Sequence, residues 1–213
     1  ARVILTTQQD VIVYDAPERS SRWIGLGGIS RLSRDGAFIA YTDGEVVFVK
    51  ELATGKLVTT ISPSLAGSVG SIAWEPSGAR LILTEAARPT VIHVADIAKG
   101  TVQDIELRQP IGAAPTWGMS GVIVMGRGAD PGTLTFECYE VPASGPVMKW
   151  SRQISLGTAW EVDVFGIDAC EYEGRDQFAF LIATKDGDYS VAVAEVSAEA
   201  SNVSSFALPK EVR

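Results

Sequence analysis

The chain holds a single histidine, His93, against 26 aspartate and glutamate residues, and that imbalance limits the chemistry it can assemble. One imidazole cannot build a multi-histidine metal site from several repeats, and it leaves at most one Ser-His-Asp arrangement. His93 and Glu137 fall in the same column of a repeat described below. They could meet between neighbouring units as an acid-base pair, but a satisfied hydrogen bond in packed surroundings is the plainer expectation. Paired carboxylates of the glycosidase kind need only two of the acids, and no spacing singles out a pair. The reading therefore assigns no catalytic, cofactor-binding or metal-binding residue.

Other acidic features have local explanations. Asp15, Glu51, Asp96, Glu140 and Glu195 recur once per unit, and a carboxylate at a strand end before a turn accepts nearby backbone N–H groups. Asp186-Gly187-Asp188 resembles a calcium loop but lies between two apolar runs, where Asp-Gly marks a hairpin. The stretch from Glu161 to Asp176 carries six acids against Arg175 alone. It reads as a solvated insertion or as a contact loop for a basic partner. Arginine gathers at the other end: Arg19, Arg22, Arg31 and Arg34 lie within 16 residues, around Trp23 and Ile24. Arginine and tryptophan combine apolar area with directed hydrogen bonds at interface hot spots. Arg19, Arg22, Trp23, Arg31 and Arg34 are accordingly the candidate protein-binding residues.

The elements that must carry these residues are short strands. From Gly70 to Leu107 four apolar runs, Ser71 to Trp74, Arg80 to Thr84, Val91 to Ala95 and Val102 to Leu107, are separated by Pro76-Ser77-Gly78, Arg88-Pro89 and Lys99-Gly100. That is one antiparallel meander of four strands. The other segments are degraded copies of it. Third strands read Val11 to Asp15, Val47 to Glu51, Ile92 to Asp96, Phe136 to Glu140 and Val191 to Glu195. Their first and third positions are apolar, and a carboxylate ends each one, as a strand with one buried face requires. The acids are spaced 36, 45, 44 and 55 residues apart, an interval typical of propeller blades. Second strands precede them at Val3 to Thr7, Phe38 to Thr42, Leu81 to Glu85, Val122 to Gly126 and Phe180 to Thr184. First strands precede four of these, at Ile29 to Ser33, Ile72 to Trp74, Pro115 to Gly118 and Val162 to Ile167. Trp74, Trp117 and Phe165 take equivalent first-strand positions and read as core spacers.

The runs EPSGARLILTEAARPTVIHVADIAKGTVQDIEL and AFIAYTDGEVVFVKELATGKLVTTI resemble WD40-like or YVTN-type β-propeller repeats, which place an SPDG-like turn, a Val-x-Val-x-Asp strand and a Thr-Gly-Lys turn in this order. The likeness covers nearly the whole chain. It departs from the strict WD40 signature in having no Gly-His dipeptide and no tryptophan before the acid. The resemblance implies an all-β fold, a β-propeller of about five four-stranded blade units with the first lacking its innermost strand. The expected units run approximately over 1–27, 28–66, 67–110, 111–157 and 158–213 of a single domain.

An inner edge left open in the first unit would be a template for pairing. Three explanations stand: a tail from Pro209 to Arg213 too short to close the ring, a chain that is part of a longer propeller, or a closing strand supplied by a protein partner. A net charge of −8 argues against nucleic acid as a partner, since phosphate binding needs a basic field. No apolar run approaches the ~20 residues of a membrane span, and the start of the sequence lacks a signal-peptide pattern, so the expected home is cytoplasmic, with secretion left open. In a secreted protein the sequon Asn202-Val203-Ser204 would matter. Cys138 and Cys170 are too few for a disulfide framework, and Cys138 reads as a buried free thiol. The expected function is a non-catalytic protein-protein interaction scaffold, a propeller platform within a larger protein or complex. The alternative is a propeller enzyme or ligand binder, lactonase-like or glycan-active, with carboxylates at the channel mouth.

Overall fold

The structure is a computed structural model, and it describes residues 2–7, 10–62, 67–118, 120–128, 130, 132–156, 160–161, 167–172, 175–184, 189–197 and 201–207. All regular elements among them are β-strands. No helix among the described residues is long and apolar enough to cross a membrane. The chain divides into two compact units, 1–106 and 107–213.

Unit one contains three sheets. Strands β1 (Arg2–Thr6), β2 (Asp10–Asp15) and β3 (Ser20–Leu26) form the first, in that order. The second is β4 (Ile29–Leu32), β5 (Phe38–Thr42), β6 (Val47–Glu51) and β7 (Leu57–Ile61). The third is β8 (Val69–Trp74), β9 (Arg80–Glu85), β10 (Val91–Asp96) and β11 (Thr101–Glu106). In both four-stranded sheets, neighbours in sequence are neighbours in space, and every pair is antiparallel. Pairing places β1 beside β2 as β5 sits beside β6, so the strand that the first sheet lacks among the described residues is the counterpart of β4 and β8.

Unit two holds β12 (Thr116–Gly118), β13 (Gly121–Arg127), β14 (Thr133–Glu140) and β15 (Val147–Ser155) as one meander. Its last sheet has five strands: β16 (Trp160–Glu161), β17 (Ile167–Tyr172), β18 (Arg175–Thr184), β19 (Tyr189–Val196) and β20 (Ser201–Ala207). Among the described residues the sheets with a complete strand set number four, against the expected total of about five four-stranded blades, and the first sheet has three strands. A second correction concerns the acidic insertion. Within the stretch from Glu161 to Asp176, read as a solvated insertion or a contact loop, β17 instead pairs with β18 from Ile167↔Phe180 through Tyr172↔Arg175. Backbone pairing joins these two strands whatever the charge of their side chains.

Turn chemistry fixes where each strand ends. Gly55 and Gly100, four residues after the recurring acid, have φ of 73° and 66°, a region open to glycine and costly for residues with a Cβ. Their N–H groups return to Glu51 and Asp96 carbonyls at 2.9 Å. Packing then follows from alternation. Val11, Val13 and Ile24 of the first sheet meet Ile39, Tyr41 and Leu52 of the second. The opposite face of the second, Ala40, Val47 and Val49, packs on Ile72, Leu81 and Leu83 of the third. In unit two, Ile123, Phe136 and Cys138 pack with Phe178, Ala192 and Ala194, and the Phe136 and Phe178 rings lie 5.6 Å apart. Cys138 is a free, buried thiol, and burial pushes its pKa up to about 12. Trp117 is buried, while Trp74 stacks on Phe38 at 6.3 Å. Phe165, Asp186 to Asp188 and the tail from Pro209 lie outside the described residues.

Candidate functional site

The arginine-tryptophan cluster spreads over two strands and two turns of unit one. Arg19 ends the turn between β2 and β3, Arg22 and Trp23 lie on β3, Arg31 is on β4, and Arg34 sits in the turn after it. All five are exposed. Arg19 adopts φ 50°, a left-handed conformation that costs a residue with a Cβ roughly 1–2 kcal/mol. Arg22 donates through Nη2 to the Leu52 carbonyl and through Nη1 to that of Ala53 at 3.4 Å, so it fastens β3 to the turn after β6. Lys50 adds a second tie, with Nζ 2.7 Å from the Ile24 carbonyl oxygen. Gly25 lets the two sheets approach: a Cβ there would lie 2.7 Å from the Tyr41 hydroxyl oxygen. Arg31 donates to the Ser30 carbonyl at 3.0 Å. Arg34 precedes Asp35, whose carboxyl is held below the ordinary range by the Ser33 hydroxyl and then by the Ala37 N–H.

Trp23 behaves differently from the arginines. Its indole N–H donates to Asp10 Oδ1 at 2.9 Å, which fixes the ring, yet 58% of the residue is exposed. Leu26, missed in the sequence reading, is 64% exposed on the same strand. Asp10 pairs with Leu26 and Ile12 with Trp23 across the ladder. Cross-strand partners share a face, as do residues two apart, so Trp23 and Leu26 emerge on the same side of the first sheet.

The lone histidine is buried in the third sheet. Nε2 lies 2.7 Å from Glu85 Oε1, and Nδ1 lies 2.7 Å from Asp104 Oδ1. Arg88 donates Nε to Glu85 at 2.8 Å, and its Nη2 contacts the same oxygen. Strands β9, β10 and β11 and the turn after β9 are thereby joined by one polar ladder. The Glu85 side chain is fully buried, while that of Asp104 is 54% exposed. His93 and Glu137 each find partners within their own sheet. His93 has spent both ring nitrogens, and Glu137 accepts the Tyr139 hydroxyl at 2.7 Å. Burial, then that hydrogen bond, raises the Tyr139 pKa. Glu85, Asp104 and Arg88 were invisible to spacing because they lie eight, eleven and five residues from His93 in the sequence. Only the strand register brings them together.

Asp96, one of the recurring acids, serves its turn. Asp96 Oδ1 accepts the N–H groups of Ala98 at 3.1 Å and Lys99 at 3.0 Å, and the Lys99 ammonium lies 2.8 Å from Oδ2. Its pKa is lowered by Lys99, side chain first. Glu140 instead pairs with Lys149 at 2.9 Å. Among the described residues, no group of three or more histidine, cysteine, aspartate or glutamate side chains is arranged to hold a metal ion.

No family model matches the chain, and no curated protein matches it in sequence. Solved structures do match in fold. A chain of Kuenenia stuttgartiensis hydrazine synthase aligns over 97% of this chain and 63% of its own, with TM-score 0.67 and 13% identity. A chain of a mitotic checkpoint complex aligns over 98% and 74%, with TM-score 0.63 and 12% identity. Kluyveromyces lactis Hsv2 aligns over 97% and 60%, with TM-score 0.62 and 13% identity. This chain thus spans less than two thirds of the hydrazine synthase and Hsv2 chains. At these identities the likeness concerns architecture alone. Meandering four-stranded sheets, the repeat turns and these alignments together give the chain a WD40-like β-propeller fold in divergent form.

Proposed function

We propose that this chain is a non-catalytic protein-interaction scaffold, a propeller platform working within a larger protein or complex. Its contact surface is the first hairpin and the strand after it, around Arg19, Arg22, Trp23, Arg31 and Arg34. The observation that carries the reading is the exposure of Trp23 and Leu26 side by side on one sheet face. Exposed large apolar groups that cluster mark interaction sites, whereas isolated ones need no explanation. Rigid antiparallel sheets suit such a role because they hold side chains at fixed spacing and tolerate variation at their surfaces. One similar chain carries the name of a mitotic checkpoint complex, which is in keeping with a fold used inside assemblies. The partner is a protein, since the net charge of −8 disfavours a polyanion.

Light scattering on the protein alone and after affinity capture from its native extract tests this. A stoichiometric complex with wild type that Trp23→Thr fails to retain is the expected result. A monomer that retains no partner would overturn the scaffold reading.

A further inference from the structure

Among the described residues β1 has a neighbour on one side, β2, whereas its counterparts β5, β9 and β13 each lie between two strands. Aligned on the recurring acid, Arg2 matches Phe38 and Arg80, and Thr6 matches Thr42 and Thr84. In the second sheet the Phe38 and Thr42 carbonyls accept the Ser33 and Gly28 N–H groups at 2.9 and 3.1 Å, and in the third the Arg80 carbonyl accepts that of Glu75 at 2.9 Å. All three bonds run to the first-strand side. Backbone groups alternate in direction along a strand, so Arg2, Ile4 and Thr6 turn theirs to the open side of β1, while those of Val3 and Leu5 turn to β2.

This edge has the make-up of a paired strand. Free edges are blunted by bulges, prolines or charges, and the outer strands β3, β7 and β15 each carry a register shift against their neighbour. In contrast, β1 keeps unbroken register from Arg2↔Asp15 to Thr6↔Val11, and Val3 to Thr6 hold no charge and no proline.

Sister sheets show which residues belong beside it. One before the acid, the second-strand residue is Val3, Ile39, Leu81 and Val122 in the first four sheets. Opposite it in the second, third and fourth stand Leu32, Trp74 and Trp117, large and apolar each time. Opposite the position of Ile4 stand Arg31, Ala73 and Thr116, a column without such a preference. The large residue fills space between sheets: Trp74 stacks on Phe38 at 6.3 Å, and Leu32 packs on the core of Val11, Val13 and Ile39.

We infer that the inner edge of β1 takes an extended segment of a partner protein as an added antiparallel strand, with leucine or tryptophan opposite Val3. Main-chain bonds to Arg2, Ile4 and Thr6 give the affinity, and the large apolar residue sets register and choice. Two copies of this chain, each with net charge −8, repel one another, which favours a different protein as the source. The inference rests on the scaffold reading and adds a second contact to it, made by the backbone.

The test adds a peptide with the sequence of residues 69–74, a first strand that ends in tryptophan, to the folded chain and follows amide exchange by NMR. Without peptide, the Ile4 and Thr6 amides are expected to exchange faster than those of Val3 and Leu5. Peptide is expected to slow Ile4 and Thr6 at least about tenfold. The Trp74→Ser peptide is expected to bind at least about tenfold more weakly. Slow exchange at Ile4 and Thr6 in dilute chain without peptide would mean that the chain fills this edge itself. Slowing that grows with chain concentration alone would mean that a second copy does. Either result overturns the inference, as does a peptide that leaves these amides unchanged or a Trp74→Ser peptide that binds equally. The scaffold reading falls only if the capture experiment fails as well.

Discussion

Replacing His93 with phenylalanine, the residue type that Phe48 supplies at this column of the second sheet, tests what the buried ladder contributes. Wild-type His93 gives Glu85 one of its contacts at 2.7 Å, and the Glu85 side chain has no solvent exposure. Leaving a buried hydrogen-bonding group without one of its partners costs about 1–3 kcal/mol, more where the group is charged. Arg88 remains on Glu85 and its side chain is 39% exposed, so the expected loss is about 2 kcal/mol. Asp104, more than half exposed, rehydrates and adds little. Adding Glu85→Met removes the carboxylate that lost its imidazole partner, and much of the loss is expected to return, because an apolar group of similar size suits a buried position better than a carboxylate short of a hydrogen bond. Urea unfolding followed by tryptophan fluorescence on the wild type, both single variants and the double variant closes the cycle. A coupling energy of about 2 kcal/mol between positions 85 and 93 is expected. Additivity within about 0.5 kcal/mol would refute the reasoning, since it would mean the two side chains do not depend on one another.

Two further outcomes follow from local geometry. Burial disfavours the charged form of Glu75, but the Arg80 guanidinium at 2.6 Å and then Ser77 outweigh it and lower its pKa. The unfolded chain therefore takes up this proton first as pH falls below roughly 4.3. The stabilisation is complete above that value and is lost as pH drops through the lower folded value. Glu75→Gln is expected to flatten the acid limb of a stability-pH curve, and an unchanged limb would exclude the pair as its source. Arg19→Gly relieves a left-handed turn residue worth roughly 1–2 kcal/mol against a glycine entropy cost of about 0.4–1 kcal/mol. A net gain of about 0.5 kcal/mol in urea midpoint stability is expected, and a clear loss would show that the Arg19 side chain supports the fold itself.

How far the sequence could be read depended on whether the signal was local. Phe38–Thr42 and Val47–Glu51 were readable to the residue, because period-two apolar positions and Asp-Gly or Thr-Gly-Lys turns are properties of adjacent residues. The ribbon of β17 and β18 was hidden by its acids, which look like loop composition although backbone pairing is indifferent to them. The Arg22 contact with Leu52 and Ala53 was beyond reach because it joins residues some 30 positions apart. Exposure at Trp23 was anticipated from residue type, while Leu26 was passed over. A leucine ending a strand looks like core until the register shows which face it occupies.

Similar repeats in one chain raise a hazard of their own, since a strand from one sheet can pair with the wrong neighbour while the protein folds. The ladder in the third sheet opposes such errors. If β11 slipped by one residue along β10, Gln103 or Ile105 would face His93 and the Asp104 carboxylate would turn to the other side. If β7 took the place of β11, Thr60 would bring a neutral hydroxyl to the position of a carboxylate. Either mistake would leave a buried imidazole without one of its two acidic partners. The one histidine thus marks its sheet with an identity, making three strands of near-generic sequence recognise one another and reject substitutes.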